Sequence, residues 1–147
     1  MSYIDNLFIN KKYHINAFNT ADCISGYPII KPVNYIPQKM LGIDCISKSK
    51  NFDETLHTFI FDKKLETIWH NFENDKYISR IAKFPAVLTP DFSAYLDMPV
   101  IYIEYNVKRS FLVGQYWQKR GLTVIPVAIW AAPNTYNICF NIAPILI

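Results

Sequence analysis

The chain has 147 residues, of which 51% are apolar and 16% aromatic, and its net charge is only +3. That length and composition predict one domain spanning 1–147 with a sizeable core, and they exclude a disordered chain. Residues 1–80 carry ten Lys/Arg against nine Asp/Glu, and residues 81–147 carry five against three, so nucleic-acid binding through many phosphate contacts is not indicated by charge.

Residues 1–26 read as an irregular, Asn-rich N-terminal segment, with a short helix near 3–9 as the alternative. YPIIKPV (27–33) is a short apolar run that Pro28 and Pro32 limit to an edge strand. Residues 34–52 read as loop. LHTFIFD (56–62) is the first continuous strand, and Asp62 at its end suits the N-cap of a helix. Leu65, Ile68, Trp69 and Phe72 follow at helical spacing and predict one buried face. A second helix is expected from Asp75, with Tyr77, Ile78, Ile81 and Phe84 as its stripe.

PAVLTP (85–90) predicts another strand, which leaves through the loop Asp91-Phe92-Ser93. β-Branched and aromatic residues in PVIYIEYN (99–106) favour a strand by propensity. Asp97 as a cap, Pro99 in a first turn and Gly121 as a stop favour one long helix over 98–119 instead. The helix is the expected outcome, with Glu104 and Lys108 paired one turn apart. LTVIPVAIW (122–130) is a strand interrupted by Pro126, a short helix or turn follows at 135–141, and APILI (143–147) begins a last strand. Alternating strands and helices mean an α/β fold with a mostly parallel sheet, either partly barrel-like or an open three-layer arrangement.

Three widely spaced cysteines, Cys23, Cys45 and Cys139, do not form a secreted disulfide framework and point to buried thiols in a reducing cytosol. The first residues have neither a basic nor an apolar signal region, so no secretion signal is expected. The longest apolar stretch, 122–133, is far short of the ~20 residues of a membrane span. The expected protein is therefore soluble and cytoplasmic. CxxC, HxxxH, HExxH, GxSxG, GxGxxG and Walker patterns are all absent. No cofactor is predicted, although paired carboxylates could hold Mg.

PAVLTPDFSAYLDMP, followed by GQYWQKRGLTVIPVAIW, resembles an uncharacterised domain family found in phages, plasmids and genomes of Gram-positive bacteria. The matching positions run from His57 to Asp62, then Trp69, Pro90-Asp91-Phe92-Ser93, Met98-Pro99, Asn106, Arg109, Tyr116-Trp117-Gln118, Gly121, Pro126 and Trp130, and GYPIIKP fits the family's start. The resemblance implies a mobile-element protein but carries no activity. Members usually have a second Asp where this chain has Lys63, and they continue with further strand–helix units beyond the point where this chain stops.

Ligands of parallel α/β folds sit at the carboxyl ends of the strands. Asp62, Asp91, Ser93 and Trp130 stand at three such ends, and Asn106 and Arg109 lie on the helix after the loop. These six are the candidate ligand-binding residues. Carboxylates could act as acid and base or hold a cation, and Arg109 could clamp an anion. The structural alternatives are caps at Asp62 and Asp97, an Asx-turn at Asp91 and Ser93, core packing for all three Trp, a solvated or locally paired Arg109, a strand histidine at His57, and a Glu66–His70 surface pair. Three functions follow as expectations. The first is an accessory protein of a phage or plasmid that binds a protein or other macromolecule. The second is a small-ligand or nucleotide-handling enzyme centred on Asp91. The third is a shortened relative without independent activity. An apolar terminal strand would also serve as a homo-oligomer interface.

Overall fold

The computed structural model describes residues 3–19 and 22–140. Its centre is a four-stranded sheet in the order β3 (Met40–Gly42), β4 (Thr55–His57), β5 (Val87–Leu88), β6 (Val124–Ile125), with every neighbouring pair parallel. Before it come helix α1 (Tyr3–Tyr13) and a small antiparallel pair, β1 (Cys23–Ile24) and β2 (Tyr27–Pro28). Ser25 and Gly26, both at positive φ, make the hairpin turn between β1 and β2. Helices α2 (Asp62–Asn71) and α3 (Asp75–Ile81) connect β4 to β5, α4 (Val100–Lys119) connects β5 to β6, and α5 (Tyr136–Phe140) follows.

Leu56, Val87 and Val124, aligned across the sheet, share one core with Leu65, Ile68, Trp69, Ile78, Leu112, Val113 and Trp117. The strands neighbour in chain order, and α2, α3 and α4 all meet this core. A second cluster, Ile103, Val107 and Phe111 with Tyr27, Ile30, Ile129 and Cys139, packs on α4 from another side. The long helix is thus buried between two cores. The expected helical stripe on α2 and the helix reading of 98–119 both hold, with α4 starting at Val100. Gly121, at φ +88°, ends α4 as expected, its N–H bonding the Gln118 carbonyl.

The strands are much shorter than the apolar runs suggested. In place of 56–62, 85–90 and 122–130, the ladders cover two or three residues each. Beyond them, side chains take over the hydrogen bonding. Thr58 Oγ1 donates to the Thr89 carbonyl at 2.6 Å, and the Val127 N–H donates to Thr89 Oγ1 at 2.9 Å. Pro126 brings no N–H, so β6 stops before it. The edge strand expected over 27–33 reduces to β2.

Other expectations are corrected. The N-terminal segment is helical over Tyr3–Tyr13; its weak amphipathic pattern hid it, and the Trp69 indole N–H to the Lys12 carbonyl (3.2 Å) anchors its end. His14, buried at φ 52° beyond α1, bonds Glu73 through Nδ1. The loop expected over 34–52 contains β3 and a 3-10 turn over Ile43–Lys48. Asp62 is the first residue of α2 and not its N-cap, which is Phe61 without a side-chain bond. Asp97 caps nothing, because Pro99 holds the N-cap position of α4. Glu104 accepts from the Tyr27 hydroxyl (2.8 Å), while Lys108 lies over the Phe18 ring, so the two do not pair. Glu66 binds Arg109 rather than His70. Cys139 is buried, but Cys23 and Cys45 are only partly so. Residues 143–147, expected as a strand and interface, lie outside the described residues.

α3 has a true cap. The Asn74 side chain accepts from the Tyr77 N–H at 3.1 Å. Asn74→Ala is expected to cost about 1 kcal/mol, read as a lower melting temperature.

Candidate functional site

The carboxyl ends of β4, β5 and β6 open into a cleft of about 790 Å³. Its floor is set by the Thr58–Thr89–Val127 bonds, which hold the three strand ends together where the ladders stop. Its walls come from the segments leaving those ends. Phe59 and Phe61 follow β4, Asp91 to Tyr95 follow β5, and Val127 to Trp130 follow β6. Asp44 and Lys64 lie at one side as an ion pair. The Lys64 ammonium beside Asp44 holds that carboxyl below its usual range.

Asp62, Asp91, Ser93 and Trp130 all line this cleft. Ser93 Oγ donates to Asp62 Oδ1 at 2.8 Å and accepts from the Tyr95 hydroxyl at 3.2 Å. Asp62 stands in the first turn of α2, where a negative charge suits the helix N-terminus. The Asp91 carboxylate accepts no hydrogen bond from any described residue. Burial, with the Asp62 charge second, pushes its pKa above the usual carboxylate value.

Asn106 and Arg109 do not reach the cleft. They brace its β5 wall from behind. Asn106 Nδ2 donates to the Ser93 carbonyl (2.8 Å), Arg109 Nε donates to Asn106 Oδ1 (3.0 Å), and Arg109 Nη1 donates to Glu66 Oε1 (2.7 Å). The guanidinium carbon lies 3.5 Å from the ring centre of Phe92, which is fully buried. Arg109 is therefore neither solvated nor free to clamp an anion. Trp69 and Trp117 are core as expected, whereas Trp130 is 52% exposed at the cleft rim.

The residues missed from sequence are mainly aromatic. Phe59, Phe61 and Tyr95 are 55%, 82% and 58% exposed. The alternation of Phe59 and Phe61 inside an apolar run was the available signal, and it read as buried strand because nothing local marks where the ladder ends. Among the described residues, no group of three His, Cys, Asp or Glu side chains converges to hold a metal ion. No described helix is long and apolar enough to cross a membrane.

A short parallel sheet with a side-chain-lined cleft at its carboxyl end defines an α/β fold. The chain belongs to the family described as Domain of unknown function (DUF4417), whose pattern matches residues 20–145. It is 35% identical over 136 residues to the Gene 1 protein of Mycobacterium phage D29, covering 88% of this chain and 49% of that protein. It is 33% identical over 136 residues to the Gene 1 protein of Mycobacterium phage L5, covering 88% of this chain and 58% of that relative. The chain thus spans about half the length of these curated relatives. The relationship to a phage family expected from the PDFS and YWQ segments is present. No solved structure matches the chain.

Proposed function

We propose that this is an accessory protein of phage type that acts by binding a macromolecular partner through the cleft. The observation that carries this reading is the exposed aromatic rim. Phe59, Phe61, Tyr95 and Trp130 gather around one concave site. Aromatic side chains grouped in this way are enriched at protein interfaces and unusual on a surface that meets only water. The relatives are phage proteins, and their names assign no activity. A photo-crosslinking phenylalanine analogue at position 61 tests the reading in host lysate. A discrete adduct is expected. Excess unlabelled protein should suppress it, and excess Phe61→Ser/Trp130→Ser double variant should not. No adduct, or equal suppression by both competitors, refutes the reading.

A small-ligand or nucleotide-handling site is the second reading. It is favoured by one observation, Asp91 without a partner among the described residues and beside Asp62, which is a geometry suited to acid–base work.

A further inference from the structure

We infer that the cleft receives a guanidinium side chain from a basic segment of a partner polypeptide. This inference rests on the macromolecule-binding reading and names the chemistry that the cleft recognises.

Charge points first to a cation. The lining side chains hold three carboxylates against one ammonium, and Lys64 is already committed to Asp44. Asp91 has no described partner, and Asp62 uses one oxygen for Ser93. Two carboxylates therefore face the cleft without a positive counterpart among the described residues. The whole chain carries +3, so the attraction for a cation is local to this site and not a property of the surface at large.

The walls then narrow the kind of cation. A small hydrated ion gains little from Phe61 and Trp130, which flank the carboxylates with exposed rings. A guanidinium is planar, weakly hydrated and able to stack on an indole while donating to a carboxylate. The same fold already uses this combination internally, where the Arg109 guanidinium lies over the Phe92 ring and bonds Glu66. The N-terminus of α2 also opens here and by itself would attract an anion. Asp62 in its first turn opposes that attraction with a full negative charge, and Asp91 reinforces it. Phosphate groups, and hence nucleotides or single-stranded nucleic acid, fit poorly despite the aromatic rings.

The site should also respond to pH. The titratable and charged groups that line the cleft with Asp91 are Asp62 and Lys64 on α2, Asp44 on the turn after β3, and the Tyr95 hydroxyl on the segment after β5. Protonation of Asp91 removes half of the free charge, so binding should weaken as pH falls through its raised pKa. The sign is opposite for stability. A carboxyl raised in the folded state stabilises the fold below its unfolded pKa, and that contribution is lost as pH rises through the folded value. Above that folded value, ionised Asp91 is thus a cost to folding, and there Asp91→Asn should melt no lower than the native chain.

The test is a titration of the full chain with a short glycine–arginine peptide, followed through Trp130 emission. Trp69 and Trp117 are buried and give a constant background, and Trp130→Phe confirms the source of the signal. Saturable binding that weakens with salt is expected. The same peptide with citrulline, the neutral isostere of arginine, should bind about tenfold or more weakly. Asp91→Asn and Asp62→Asn should each lose a comparable factor while remaining folded. Absence of saturable binding, equal binding of the citrulline peptide, or unchanged affinity in both variants overturns the inference. So does a thymidine oligonucleotide or Mg-ATP that binds more tightly than the arginine peptide. The position-61 crosslink separates the two levels. An adduct that persists while charge discrimination fails leaves the macromolecule-binding reading intact and removes only the guanidinium.

Discussion

Arg109→Ala is expected to destabilise the protein by about 3 kcal/mol, a large share of the stability of a small domain. Arg109 is 8% exposed and has the rings of Phe92, Tyr105 and Trp69 within 3.5, 5.1 and 5.9 Å of its guanidinium carbon. Truncation leaves a void above Phe92 and removes the donor that orients Asn106. Glu66 is 43% exposed and rehydrates, so the full penalty of a stranded buried charge does not arise. The loss is mainly packing and cation–π attraction. Urea unfolding should show a lower midpoint with an unchanged slope. Arg109→Lys should recover only part of it, because an ammonium cannot stack on Phe92 and reach both Asn106 and Glu66. A native midpoint for the Ala variant would show that Arg109 does not brace the wall.

Gly114→Ala is the second large effect, at about 2 kcal/mol of destabilisation. Gly114 lies in the middle of α4, where alanine would ordinarily favour the helix. An added methyl group would stand 2.5 Å from Thr89 Cγ2 and 2.6 Å from Ile30 Cδ1. Ile30 can turn its terminal carbon away. Thr89 cannot, since its hydroxyl and its carbonyl are both committed to the bonds that close the cleft floor. Relief must come from moving α4 off the sheet. Thermal melting of the variant against the native chain decides the sign, and a rise in melting temperature would mean that helix propensity outweighs the contact.

The sequence made α2 and α4 legible because their cores are periodic, whereas α1, with a weak pattern, was hidden. Leu65, Ile68, Trp69 and Phe72 mark α2. The spacing of the apolar residues, with Pro99 before and Gly121 after, marks α4 despite its β-branched content. Strand ends were not legible. Whether Phe59 or Phe61 belongs to a ladder depends on Thr58 bonding Thr89, some thirty residues on, and no local pattern reports that. β3 pairs as an edge strand through only three residues, one of them Gly42, and so gives no alternating signal. For the site, the position of strand ends brought Asp62, Asp91, Ser93 and Trp130 to one cleft. Asn106 and Arg109 sit one layer deeper, because a helix following a loop can present its polar residues to the back of that loop as readily as to its front.

The division between floor and rim separates the side chains that hold the fold from those it leaves exposed. Thr58 and Thr89 are fully buried and hydrogen-bonded, whereas Phe59, Phe61, Tyr95 and Trp130 stand largely in solvent. Exchanging a rim residue changes what the cleft meets and leaves the joint beneath it intact. Members of such a lineage can diverge at the rim, one side chain at a time, without passing through an unfolded ancestor.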